Sequence, residues 1–196
     1  MKIIGLTGGV GAGKSTVLEF LQKDWDAFVL QADQVGHLVM EPGRECYEPI
    51  IRLFGEEIIK KDKTIDRRRV SDVVFSQREK LEALNKIVHP AVRRYILETL
   101  EKERKSGRKL CVVEAALLLE EQYDKFCDAV WYVHTDRKIR ISRLMENRGY
   151  TKEKAENIIR SQKSEDFFFS HADFVIENNG SPEEARLRLA EGIQQL

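Results

Sequence analysis

The first sixteen residues constrain this chain more than any other stretch. Met1 to Thr7 is an apolar-rich run of strand length, and it passes directly into Gly8-Gly9-Val10-Gly11-Ala12-Gly13-Lys14-Ser15-Thr16. Gly8, four residues, then Gly13-Lys14-Ser15 is the spacing of a phosphate loop. Glycines let successive backbone N–H groups turn toward a polyphosphate, and they remove the Cβ atoms that would hold it off. Lys14 brings a compact positive charge, Ser15 a hydroxyl able to ligate Mg²⁺, and a helix starting near Lys14 adds its positive end. Val17, Leu18, Phe20 and Leu21 follow at helical spacing, so the pattern sits between a strand and a helix as the motif requires. Gly9, Gly11, Ala12, Gly13, Lys14, Ser15 and Thr16 are therefore the candidate nucleotide-binding residues.

With 196 residues the chain can bury one sizeable core, and one compact α/β unit carrying insertions is the expectation. Its 33 basic and 33 acidic side chains cancel, which leaves no global field to attract nucleic acid or an anionic membrane. No apolar run reaches membrane-spanning length, and because the first strand begins at once no signal peptide is expected. Cys46, Cys111 and Cys127 are odd in number, widely spaced and without a Cys-x-x-Cys pair, so buried thiols in a reducing cytoplasm are expected.

Strands and helices then alternate. Ala27 to Leu30 reads as a second strand ending at Gln31-Ala32-Asp33, where an open α/β sheet holds its ligands. Position alone leaves two readings of Asp33 open, a ligand-side carboxylate or the N-cap of the next helix. Residues 44–107 turn helical and basic, with helices over Tyr47 to Phe54, Arg67 to Phe75 and Glu79 to Arg104, the last kinked or broken at His89-Pro90. In that stretch Ile87, Val88, Val92, Ile96, Leu97 and Leu100 should face a core. Ile58-Ile59 and Ile65 suggest a small hairpin around a lysine-rich loop, and the arginines at 67, 68 and 69 read as mainly solvated surface.

Lys109 to Val113 is a continuous apolar strand, as burial on both faces of a parallel sheet requires, and it stops at Glu114. An acid in that place belongs to the Mg²⁺ shell of phosphate-loop proteins. Asp128 to His134 supplies a fourth strand and Asp173 to Ile176 a fifth. Between them lie a basic helix, Asp136 to Arg148, and a second helix, Lys152 to about Ser164, which together suit a lid over a triphosphate or a charged solvent face offset by Glu146, Glu153 and Glu156. Ser181-Pro182-Glu183-Glu184 carries the signs of a helix start.

A set of short motifs runs in order along the chain: Ile4 to Thr16, Ala32-Asp33, Pro42-Gly43, Phe54-Gly55, Asp66-Arg67, His89-Pro90, Leu117 to Glu120, Arg143 with Arg148, Gln162, and Ala172-Asp173-x-Val175-Ile176-x-Asn178. Their order and spacing resemble the dephospho-coenzyme A kinase family along nearly the whole chain. The resemblance implies a nucleoside-monophosphate-kinase-like fold, a five-stranded parallel sheet with helices on both faces. It implies a core of about 1–35, 108–136 and 165–196, a helical substrate-binding insertion over about 36–107, and a lid over about 137–164. It also implies transfer of the ATP γ-phosphoryl group to the ribose 3′-hydroxyl of dephospho-CoA by a monomer or small homo-oligomer.

On the family pattern Asp33 orients and deprotonates that hydroxyl, and Arg143 contacts the triphosphate. Thr7, Arg67, His89 and Leu117 become substrate contacts, Arg148 and Asn178 nucleotide contacts, and Ser15 and Glu114 the Mg²⁺ ligands. Two positions depart from the pattern. Glu114-Ala115-Ala116-Leu117-Leu118 stands where Asp-x-Pro-Leu-Leu is usual, and Gln31 stands where a second Asp is usual. Rival readings are another small-molecule kinase on the same scaffold, a binding paralogue, and a nucleotide switch. Asp33-Gln34-Val35-Gly36 spells a switch-like motif, but no guanine-reading Asn-Lys-x-Asp occurs.

Overall fold

The computed structural model describes all residues, 1–196. Its elements run β1 (Lys2–Gly8), α1 (Lys14–Trp25), β2 (Phe28–Gln31), α2 (Ala32–Val39), α3 (Tyr47–Phe54), α4 (Arg67–Ser76), α5 (Arg78–Lys105), β3 (Leu110–Glu114), β4 (Ala129–His134), α6 (Arg137–Arg148), α7 (Lys152–Ser161), α8 (Glu165–Phe169), β5 (Phe174–Glu177) and α9 (Pro182–Gln194). The five strands form one all-parallel sheet in the order β2-β3-β1-β4-β5. The chain divides into two compact units, Met1–Val29 with Ser106–Leu196, and Leu30–Lys105.

In the first unit, six of the seven β1 residues and all five of β3 are buried, as strands covered on both faces must be. One face of the sheet meets α1 and α9: Ile4, Leu6, Val112, Trp131, Val133, Phe174 and Ile176 close on Val17, Leu18, Leu21 and Leu189. On the other face Tyr132 stacks on Phe168 with ring centroids 5.0 Å apart. Parallel register sets Leu6 beside Glu114 and Gly8 beside Val133, so β1, β3 and β4 present their carboxyl ends together. The expected start of the last helix holds: Ser181 accepts a hydrogen bond from the Glu184 N–H and Pro182 fills the first turn.

The second unit is built on α5, which packs against α2, α3 and α4. Of the kink or break expected at His89-Pro90 the break is absent, and one helix of 28 residues runs through Pro90. The missing N–H and the pre-proline restriction are outweighed by packing, since Ala91, Val92, Ile96 and Leu100 are all buried immediately beyond it. Leu97, expected in the core, is 40 % exposed because the buried line follows the i, i+4 row of residues 92, 96 and 100. Ile59 and Ile65 do form an antiparallel bridge, closed by the Lys60 N–H to Thr64 carbonyl bond of 2.9 Å. Asp66 caps α4 by accepting from the Arg68 and Arg69 N–H groups, and Arg67, Arg68 and Arg69 are exposed, as the surface reading has it.

Two local expectations change. The N-cap of α2 is Gln31 and not Asp33, which lies in the first helical turn. The helix expected to reach Ser164 stops at Ser161, because Ser164 caps the separate short helix α8 by accepting from the Phe167 N–H.

All three cysteines are free thiols. Cys46 and Cys111 are buried as expected, and Cys127 is half-buried. Burial, then the nearby carboxylates of Asp124 and Asp128, push the Cys127 thiol up from 9.0 to about 12. The folded state therefore holds the thiol proton more tightly, and this contribution to stability is complete below pH 9.0 and fades toward about pH 12. Unfolding free energy from urea titration should fall as pH rises through that window. Cys127→Ala should flatten the fall by at most about 1.4 kcal/mol per pH unit.

Candidate active site

Gly13 sets the end of the phosphate loop. It takes a left-handed conformation, φ 88°, as the N-cap of α1, and no side chain caps that helix. The first turn also contains no acidic residue, so the N-terminal N–H groups and the positive end of the dipole are left for an anion. Lys14 donates to the Gly8 carbonyl at 2.9 Å and stands 3.5 Å from Glu114 Oε1. Ser15 is exposed beside it, and Thr16 is half-buried.

The loop is held from behind by the ends of β4 and β5. The Ala12 carbonyl accepts from Asn178 Nδ2 at 2.7 Å, and Arg143 Nη1 stands 3.5 Å away. The Thr135 hydroxyl lies 2.9 Å from that carbonyl and 3.2 Å from the carbonyl of Asn178, and its single proton serves one of them at a time. Arg143 Nη2 donates to the Asn178 carbonyl at 3.0 Å. A Cβ on Gly13 would run into the Asn178 amide, so close approach as well as backbone conformation calls for glycine there.

Of the residues singled out from sequence, Gly9, Gly11, Ala12, Gly13, Lys14, Glu114, Arg143 and Asn178 come together around this loop. Asn178 does so as a brace buried behind Ala12. Thr7 is buried on β1, and its hydroxyl has no hydrogen-bond partner. Leu117 is half-exposed on the turn after β3, and Arg148 is exposed at the opposite end of α6 from Arg140. Asp33, Arg67 and His89 belong to the second unit. There Asp33 is exposed in the first turn of α2, Arg67 is exposed on α4, and His89 is half-buried on α5. Gln31, the position of the second departure, accepts a hydrogen bond from Gln34.

Sequence reading missed Thr135 and gave no separate role to Arg140. Arg140 is only 5 % exposed and binds the Val10 carbonyl, whereas Gln162 accepts from the Val10 N–H. Burial lowers the Arg140 pKa below that of an ordinary guanidinium. A helix carrying four arginines and a lysine gives no local signal that one of them turns inward.

A family model for dephospho-CoA kinase matches residues 2–184. The chain belongs to the dephospho-CoA kinase family. It is 38 % identical over 192 residues to a dephospho-CoA kinase of Geobacillus kaustophilus, covering 98 % of this chain and 95 % of that one. Among solved structures, protein TT1252 of Thermus thermophilus superposes with a TM-score of 0.84 at 32 % identity, covering 99 % of this chain and 96 % of the other. The dephospho-CoA kinase of Campylobacter jejuni gives 0.75 at 27 % identity over 100 % and 97 %. Membership in the dephospho-CoA kinase family accords with the loop geometry, which is that of a phosphate-binding site.

The brace behind Ala12 can be tested by itself. Asn178→Ala removes one buried hydrogen bond while Thr135 and Arg143 remain near the Ala12 carbonyl, so unfolding free energy should drop by about 0.5–1.5 kcal/mol in urea denaturation.

Proposed function

We propose that this protein transfers the γ-phosphoryl group of ATP to the ribose 3′-hydroxyl of dephospho-CoA, giving coenzyme A. The observation that carries phosphoryl transfer is an uncapped helix start at the end of a glycine loop, with Lys14 and Glu114 beside it. Family membership over residues 2–184 supports the choice of acceptor. No helix is long and apolar enough to cross a membrane, and three free thiols accord with a reducing cytoplasm.

Phosphoryl transfer spreads negative charge over the equatorial oxygens, and catalysis is chiefly positioning and electrostatic stabilisation. Lys14 serves the β and γ phosphates, the first-turn N–H groups of α1 hold the phosphate chain, and Arg143 adds positive charge at its side. Asp33 orients the acceptor hydroxyl and takes its proton. Thr7 is a proposed substrate contact on the family pattern alone; its hydroxyl is buried and has no protein partner. Arg67, His89 and Leu117 are proposed substrate contacts, Arg148 a nucleotide contact, residues 36–107 the substrate-binding region and 137–164 the lid.

The residues present fit Mg²⁺. Ser15 and Glu114 offer hard oxygen donors, and no cluster of three or more His, Cys, Asp or Glu forms a closed cage. A cation that keeps several waters and leans on phosphate oxygens needs no more. When bound, it would neutralise charge on the β and γ oxygens.

Incubation with Mg·ATP and dephospho-CoA should yield CoA by mass spectrometry, and a panel of other alcohols should be poor acceptors. Asp33→Asn should keep MgATP affinity while kcat falls by about a hundredfold or more. Near-normal turnover in that variant would contradict the role given to the carboxylate.

A further inference from the structure

Val10, the one branched residue at the tip of the phosphate loop, is held through both of its polar backbone groups. Its N–H donates to Gln162 Oε1 at 3.1 Å, and its carbonyl accepts from Arg140 Nε at 2.9 Å. Arg140 Nη2 donates to the same Gln162 oxygen at 2.6 Å, so three hydrogen bonds close a ring of three residues. Gly9 and Gly11 extend the contact. A Cβ on Gly9 would enter the Arg140 guanidinium, and one on Gly11 would lie 3.0 Å from the Arg140 carbonyl and 3.2 Å from Leu144. One face of α6 thus covers three consecutive loop residues.

Arg140 has little left to offer a ligand. Nε and Nη2 are committed to Val10 and Gln162, and Nη1 stands 4.0 Å from Glu165 in a side chain only 6 % exposed. The guanidinium therefore acts on the loop and through it. Taking a cation out of water costs several kcal/mol and is compensated only when geometry and partners are good. Here the compensation comes from a backbone carbonyl and an amide oxygen that themselves define the loop's shape. Val10 is also unable to give its N–H to a phosphate while Gln162 holds it, which leaves the cradle to the amides on either side.

We propose that Arg140 and Gln162 are paired positioning residues that lock Val10 and so preset the phosphate loop for the donor nucleotide. This inference rests on the reading of the loop as an ATP site. It links nucleotide affinity to α6 and to the segment after α7, the two stretches that supply the pair. Lysine at position 140 lacks the planar fork that reaches two acceptors at once. Leucine at position 162 strips acceptor oxygen from both Arg140 and Val10, whereas glutamate keeps it.

The test compares MgATP affinity by isothermal titration for the wild-type chain, Arg140→Lys, Gln162→Leu, Gln162→Glu and the double variant Arg140→Lys/Gln162→Leu. KM for each substrate, kcat and the melting temperature are measured alongside. Each of the first two variants should weaken MgATP binding about tenfold or more, while KM for dephospho-CoA stays within about twofold. Gln162→Glu should recover most of the loss, and the double variant should bind about as weakly as the worse single one. Should Arg140→Lys fail to fold, the Gln162→Leu and Gln162→Glu pair decides. Variants that melt earlier yet bind MgATP as tightly as wild type, or losses that add in full, would overturn the clamp. A wild-type chain that does not bind MgATP would instead overturn the reading of the site.

Discussion

The carbonyl of Ala12 is the fixed point of the first unit. A carbonyl oxygen has two lone pairs, and three side chains converge on this one: Asn178 from the end of β5, Thr135 from the end of β4 and Arg143 from α6. The last turn of the loop is thereby tied to the carboxyl ends of two strands, and Gly13 is left to enter α1 in its left-handed conformation. The cost of ordering a glycine-rich loop is met by folding of the sheet, before any nucleotide arrives. Donors fixed in advance need not reorganise when charge develops, and this is where electrostatic catalysis gains most.

Charge at the loop is arranged by pairing. Lys14 faces the Gly8 carbonyl on one side and Glu114 on the other, and Glu114 is itself only 7 % exposed. A lysine and a carboxylate this little hydrated attract each other more strongly than a pair at the surface would. Arg140 is stabilised differently, mainly by neutral oxygens, with Glu165 at a distance. With Arg143, three cations serve one loop, and of these Lys14 faces a carboxylate while Arg140 is withdrawn into the protein.

How much of this could be read from sequence follows the range of the forces involved. The phosphate loop, the strands and the start of α9 are written in neighbouring residues, through glycine conformation, apolar runs and caps. The same holds for the bridge between Ile59 and Ile65. The passage of α5 through Pro90 was not legible, because the buried row that sustains it lies against three other helices. Nor was the role of Arg140, whose partners Val10 and Gln162 lie 130 and 22 residues away. Gln162 and Asn178 could be picked out only by family resemblance, and what they touch is a property of the assembled sheet.

The strand order carries a consequence for biosynthesis. β1 is made first, yet its neighbours in the register begin at Leu110 and Ala129. Until the ribosome has delivered both, a nearly uninterrupted apolar segment has two open edges and nothing to pair with. Residues Leu30–Lys105 are contiguous and can organise their helices locally in the meantime. The phosphate loop is thus translated early and takes shape late, because the strand that leads into it waits for both of its neighbours.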